Sequence, residues 1–223
     1  MTDAAPVQAS TTPLLPPRAT ADGTHRRLLE EALLLFGQRG FNGVSVREIA
    51  RAAGIRASSV YGHLESKEQL LFQLTFVGHE EHHEVLRQAL LEAGADPVDQ
   101  ITRLVDAHVR FHATYPLLAR VCNRELAALA PESRDTVLAV RHQSEQLFLD
   151  VIDRGIRLGA FDVPDPWLGL AAIGAMGIRV AEWFDDADYP VDHVATTYAE
   201  FAARLLVGAQ PRAASSVSTD GAK

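Results

Sequence analysis

Between Ser45 and Lys67 two helix-start signals enclose one helix-stop signal, and this spacing restricts the fold more than any other feature of the chain. Ser45 and Glu48 have the S-x-x-E spacing of a capping box, which predicts a helix start at Ser45, with Val44 and Ile49 at the staple positions. Ile49 and Ala53 share one face of that helix, and Arg47 and Arg51 share another. Ala50 is small where a second helix must cross closely. Gly54 supplies the positive φ that ends a helix and turns the chain. Ile55, Val60 and Leu64 return to the core, leaving Ser58, Ser59, Tyr61 and His63 outward. Ser66 and Gln69 then form a second box that opens the next helix. The pattern is a helix-turn-helix, whose second helix lies in the DNA major groove. An ordinary helical corner also has a glycine and apolar positions, but here both caps, the turn glycine and the apolar spacing agree.

The charge is distributed to suit that reading. The chain of 223 residues carries a formal net charge of −8, which by itself argues against a nucleic-acid binder. From Arg18 to Lys67, however, eight basic residues face five acidic ones, giving +3, and the remainder sums to −11. Phosphate neutralisation needs the basic part where the motif is. Hydrophobic residues make up 47% of the sequence, enough for a sizeable core. Strand-like alternation is scarce, so an all-α protein is expected. A single cysteine, Cys122, excludes an intramolecular disulfide and suits a reducing cytosol. No signal-peptide pattern opens the chain, and the longest apolar stretch, Trp167 to Ile178, is too short to span a bilayer. A cytoplasmic protein with no membrane partner is expected.

Four prolines make residues 1–21 read as a disordered arm, in which Arg18 has at most a passing phosphate contact. Thr24 can cap a helix running to Arg39 and ending at Gly40. A long helix from Ser66 to about Ala93, with Leu70, Leu71, Leu74, Val77 and Val85 on its apolar face, joins the basic domain (22–71) to a larger one (72–208). Asp96-Pro97 and Asp165-Pro166 each give a cap followed by proline at the first helical position. Helices are expected from Pro97 to Tyr115, Leu117 to Leu129, Pro131 to Gly159, Trp167 to Phe184 and Val191 to Val207, about nine in all. Residues 209–223 read as a disordered tail. The last two helices, about 166–185 and 190–208, have unusual surfaces. Gly169, Ala172, Gly174, Ala175, Gly177 and Ala181 thin one, and Val194, Tyr198, Phe201 and Leu205 stripe the other. Glycine costs about 1 kcal/mol in a helix interior, so close helix approach is expected, as a four-helix interface between two copies of the chain. Burial of both helices within one chain is the alternative.

The residues Ser45-Val46-Arg47-Glu48-Ile49-Ala50 through Val60-Tyr61-Gly62-His63-Leu64-Glu65-Ser66-Lys67-Glu68 resemble the DNA-binding domain of the tetracycline-repressor (TetR) family, over about Thr24 to Leu71. The resemblance implies a homodimeric repressor that holds two recognition helices in successive major grooves and leaves a palindromic operator when a small molecule binds the larger domain. By position it implies that Arg47 reaches a guanine edge, where guanidinium matches the O6/N7 acceptors. Ser45, Tyr61, His63 and Lys67 become the phosphate set, and Ala57, Ser58 and Ser59 the base-facing start of the recognition helix. Arg56 replaces a common Ser or Thr cap and gains a DNA contact; Gly62 loosens the helix, and Leu64-Glu65 replaces a common Phe-Pro pair.

In the larger domain Phe111-His112-Ala113-Thr114-Tyr115-Pro116-Leu117-Leu118-Ala119-Arg120, with Glu182-Trp183-Phe184, is similar to family members that sense fatty acyl or acyl-CoA compounds. The residues themselves suggest an apolar cavity lined by Phe111, Tyr115, Leu118, Cys122, Met176, Val180 and Trp183, with His108, Arg124 or Arg179 as polar anchors. No resident cofactor is implied.

Two other classes compete. His79-Glu80-Glu81-His82-His83 contains H-E-x-x-H, which on a helix puts His79 and His83 on one face for zinc with Glu80 as general base. The extended motif is absent, since Leu86 stands at its expected glycine, so a metal-responsive regulator is a better reading of these residues than a zinc hydrolase. His108 and His112 form another i, i+4 pair. A helical interaction protein that has lost DNA binding is the third class. A regulator and not an enzyme is expected.

Overall fold

The structure, a computed structural model, describes residues 13–20, 23–55 and 66–208. Among them are eight α-helices and no strand: α1 (Gly23–Arg39), α2 (Val46–Ala52), α3 (Lys67–Glu92), α4 (Pro97–Thr114), α5 (Pro116–Arg124), α6 (Pro131–Arg157), α7 (Pro166–Trp183) and α8 (Val191–Val207). Short 3₁₀ turns occupy Pro17–Ala19 and Leu126–Ala128. The all-α class follows, and the helix expected over the recognition segment falls outside the described residues. So do residues 1–12 of the arm and 209–223 of the tail.

The caps formed as their spacing requires. Ser45 accepts from the amide of Glu48, and the Glu48 carboxylate accepts from the amide of Ser45, so both arms of the box are made. At the other end of α2, Gly54 has φ +70. Its amide bonds Arg51 O while that of Ile55 reaches Ala50 O at 2.9 Å, the paired bonds of a Schellman turn. Asp96 and Asp165 each accept two amides at the starts of α4 and α7.

One apolar cluster closes the helix-turn-helix side. Leu28, Leu33, Phe36, Ile49, Leu70 and Leu74 are at its centre, but Leu118 and Val121 of α5, Val137 of α6 and Leu129 between those helices belong to it too. A second cluster surrounds α4, which packs against α3, α5, α6, α7 and α8. The 26-residue α3, about 39 Å at 1.5 Å per residue, contributes to both clusters.

Several expectations are corrected. Residues 13–20 are not a loose arm: Leu15 is 1% exposed, Arg26 donates to the carbonyls of Leu15 and Pro16, and Arg18 pairs with Glu81 at 2.7 Å. One leucine among prolines is enough to anchor a segment when a guanidinium satisfies its carbonyls. Thr24, expected as the cap of the first helix, lies inside it, since Gly23 before it is already helical. Leu86, fully buried, takes the core position expected of the half-buried Val85. The helix expected over Leu117 to Leu129 instead ends at Arg124 and gives way to the 3₁₀ turn Leu126–Ala128, and Pro131 holds Ala130 in extended backbone (ψ 150) before the next helix.

The surfaces of the last two helices are also divided differently. Gly169 and Gly177 face inward, against Leu206 and His108 respectively, and Val194 is 4% exposed. Trp167, Leu168, Trp183, Tyr189, Phe201 and Leu205 remain exposed. Among the described residues no helix is long and apolar enough to cross a membrane.

Candidate functional site

On the helix-turn-helix side, Ser45 and Arg47 are exposed at the start of α2. Ser45 Oγ is already engaged with the Glu48 carboxylate at 2.7 Å, and Arg39 closes on the same carboxylate at 2.8 Å. These contacts, the Ser45 hydroxyl first and Arg39 next, hold the Glu48 carboxyl down at about 2. Lys67 differs from the outward, phosphate-facing position expected of it. Its Nζ donates to Phe41 O at 2.9 Å and Val44 O at 3.0 Å and lies 4.2 Å from the Phe41 ring centroid. The ammonium thus ties the start of α3 to the α1–α2 connection. Arg56, Ala57, Ser58, Ser59, Tyr61 and His63 lie outside the described residues.

The larger side of the molecule holds a cavity of about 300 Å³ walled by α3, α4, α5, α6 and α7. Phe111, Ala119, Phe148 and Leu170 give it an apolar wall, and Trp167, Ala171 and Ala175, all exposed, bring it to the surface along α7. Its imidazoles are concentrated on two helices. His79 and His82 come from α3, one turn apart, and His108 and His112 from α4. Opposite them α6 supplies Ser144, with Arg141 and Glu145 paired at 3.0 Å.

The four imidazoles are held neutral, chiefly by burial. His79 and His112 fall to about 4 and His108 to about 3, with Arg141 and His112 adding to the effect at His79, and His112 at His108. His82 is also driven well below its usual value, by burial and then by its histidine neighbours. Burial likewise pushes the Cys122 thiol up to about 12. Hydrogen bonds fix the rings. His112 Nδ1 lies 2.8 Å from the carbonyl of His108, His108 Nε2 lies 3.3 Å from that of Gly174, and His82 Nε2 lies 2.8 Å from His108 Nδ1. An apolar chamber with neutral donors and acceptors at one end suits a hydrophobic molecule with a polar group.

Of the expected lining residues, the structure brings His108, Phe111 and Cys122 to this cavity. Tyr115 instead borders a shallow groove beside Glu81 and Arg110, and Leu118 is in the helix-turn-helix core. Arg124 is corrected outright: it is exposed, paired with Glu125, and its Nη2 donates to Phe36 O and Gly37 O at the end of α1. Met176 and Val180 pack into the α4 core, while Arg179 and Trp183 are exposed. The cavity face of α7 runs through Gly174 and Ile178, and two residues further on is about 200° of rotation away.

The cavity residues of α6, Arg141, Ser144, Glu145 and Phe148, are not among those expected to line it. Positions 137, 141, 144, 148 and 151 form one stripe in which Arg141 and Ser144 interrupt Val137, Phe148 and Val151, and polar residues on an apolar stripe are the signal that marks them. The H-E-x-x-H set is not assembled either. His79 faces the cavity, Glu80 between the histidines is exposed, and His83 Nδ1 lies 3.4 Å from Ser144 Oγ. Glu80, the general base of that motif, is not among the residues that line the cavity.

Known regulators are similar to this chain in architecture and, more distantly, in sequence. A family model described as bacterial regulatory proteins, tetR family, matches residues 28–74, and one described as the tetracyclin repressor-like C-terminal domain matches residues 94–206. The HTH-type transcriptional repressor KstR2 of Mycobacterium tuberculosis is 28% identical over 135 residues, 60% of this chain and 67% of that protein. A bacterial regulatory protein in the tetR family from Rhodococcus RHA1 superposes with a TM-score of 0.78 at 29% identity, over 85% of this chain and all of that one. AibR, solved with isovaleryl coenzyme A and operator DNA, shares the fold with a TM-score of 0.72 at 22% identity, over 80% of this chain and 97% of that one.

Proposed function

The chain belongs to the TetR family of bacterial regulatory proteins, and from that premise we propose that it is a homodimeric repressor released from a near-palindromic operator by a hydrophobic effector of fatty acyl or acyl-CoA type. The observation that carries this reading is a single helix. α3 begins with Lys67 clasping the helix-turn-helix and, 12 to 15 residues later, presents His79 and His82 to the cavity. At 1.5 Å per residue the two ends of that lever are about 20 Å apart. An effector filling the cavity acts on the same rigid element that positions the DNA reader.

Chemistry supports the effector class. Much of the wall is apolar, its imidazoles are neutral, its charged pair Arg141–Glu145 is mutually compensated, and about 300 Å³ holds an acyl chain or compact hydrophobe at the lower end of small-molecule sites. AibR was crystallised with an acyl-CoA and operator DNA, and KstR2 is a ketosteroid transcriptional regulator, so hydrophobic metabolites suit this fold. For DNA, exposed Arg47 on α2 is assigned to a base edge, with Ser45 and the segment Arg56 to His63 as its companions. The exposed aromatic and aliphatic surface of Trp167, Leu168, Trp183, Phe201 and Leu205 is assigned to the partner copy.

Enrichment of random duplexes on the full chain tests the DNA reading. Half-sites about one helical turn apart are the expected product. No sequence preference would overturn it. Arg47→Ala is expected to cost roughly 1–3 kcal/mol on that operator and to relax one base preference. Effector linkage is tested by titrating short acyl-CoAs in the presence and absence of operator: DNA must weaken their binding, since only differential affinity can shift the two states.

A further inference from the structure

The geometry points to a three-histidine site for a divalent transition metal of the zinc class, formed by His82 of α3 with His108 and His112 of α4, whose fourth position opens into the cavity. It is independent of the effector reading above. One ring nitrogen from each of the three histidines lies within 4.8 Å of the other two. Tetrahedral zinc with Zn–N bonds of about 2.0–2.1 Å sets its nitrogens about 3.3 Å apart. The set therefore closes on an ion by shifts of no more than about 1.5 Å, within reach of χ rotations.

The hydrogen bonds around the rings prepare the lone pairs. His112 Nδ1 donates to the His108 carbonyl at 2.8 Å, which leaves His112 Nε2 as its free nitrogen. His108 Nε2 faces the Gly174 carbonyl at 3.3 Å, so the lone pair of that ring is on Nδ1. That atom lies 2.8 Å from His82 Nε2, and a metal ion takes the place of the shared proton once His82 carries it on Nδ1, so that each ring stays a neutral ligand. Backbone carbonyls behind ligating imidazoles are the usual orienting partners of such sites. Gly177 makes room for the arrangement: a β-carbon there would fall 1.9 Å from His108 Cδ2.

A second observation comes from a fourth imidazole. His79 lines the same cavity one turn before His82, is 9% exposed, and its Nε2 has no hydrogen-bond partner among the described residues. Buried polar atoms are rarely left so. Solvent on the ion's fourth position supplies the missing partner. The hydrolase motif used His79 and His83; the cluster seen here uses neither. Three protein nitrogens and one exchangeable position leave a Lewis-acidic point at the polar end of an apolar chamber.

Cobalt and zinc titrations of the full chain, purified without metal-affinity chromatography and stripped with chelator, test the site with no DNA present. A chain that does not bind DNA thus leaves the test intact. One Co²⁺ per chain is expected, with the intense visible absorption of four-coordinate nitrogen ligation, displaced by Zn²⁺. Zn²⁺ is also expected to raise the melting temperature, because only the folded chain assembles the ligands. His82→Gln and His112→Gln are expected to weaken binding about tenfold or more, whereas His193→Gln, on the exposed face of α8, leaves it unchanged. The wild-type cobalt spectrum decides even if a variant folds poorly. No bound ion, a pale six-coordinate spectrum, or binding lost only with His193 would each overturn the site.

Discussion

The imidazole of His108 occupies the space that any side chain at position 177 would need, its Cδ2 falling 1.9 Å and its Nε2 2.2 Å from a β-carbon built on Gly177. Contacts this short require movement, and neither α4 nor α7 is free to move, since both are held by the apolar core around Ile101, Ile173 and Val180. Gly177→Ala is therefore expected to destabilise the chain by about 1–3 kcal/mol, the range for overpacking, despite alanine's better helix propensity. Denaturant unfolding measures it. A gain in stability, the result for an unpacked helical glycine, would show that His108 yields without cost.

Leu15 anchors the N-terminal segment against the helix-turn-helix core. Its 1% exposure predicts a loss of about 2–4 kcal/mol for Leu15→Ala, as for other buried leucines. Arg18→Ala removes only a pair whose guanidinium is half exposed, so its effect is expected to be under about 1 kcal/mol. Equal, negligible effects of both in thermal melts would mean that the segment is not docked in solution.

Lys67 has a structural use that separates it from a plain phosphate contact. Lys67→Met keeps the apolar stem over Phe41 but leaves the carbonyls of Phe41 and Val44 without their ammonium donor. A loss of about 1–3 kcal/mol is expected, because hydrogen bonds to charged groups are worth about that. Circular dichroism melts read the stability and a salt titration of DNA affinity reads the contact. An unchanged melt with a shallower salt slope would return Lys67 to the phosphates.

Glu48 ties acid stability to the capping box. Its folded carboxyl, held at about 2 by Ser45 and Arg39, binds protons less readily than in the unfolded chain, where the ordinary value is 4.5. Its stabilisation is thus present above pH 4.5 and lost as pH falls from 4.5 towards 2. Glu48→Gln is expected to flatten the pH dependence of stability in that window and leave it unaltered above pH 6. Identical acid limbs for the two proteins would show that the box contributes nothing.

The helix boundaries were legible because they depend on local chemistry. Ser45 with Glu48, Gly54, Asp96-Pro97 and Asp165-Pro166 each satisfy or remove backbone donors within a few residues, and no distant contact is needed for the result. The same locality made the helix-turn-helix and its family recognisable. His108 and His112 could be placed on one face by their spacing alone.

What faces what was decided only by tertiary packing. No spacing rule tells Arg124 to cap α1 rather than enter a pocket, or tells Leu15 to leave a proline-rich arm for the core. His82 meets His108 across 26 residues of sequence because α4 turns back along α3, and Gly177, on a third helix, allows the approach. Secondary structure is written in short-range hydrogen bonding; the cavity and its histidine cluster depend on how helix surfaces interlock, and that information is spread over the whole chain.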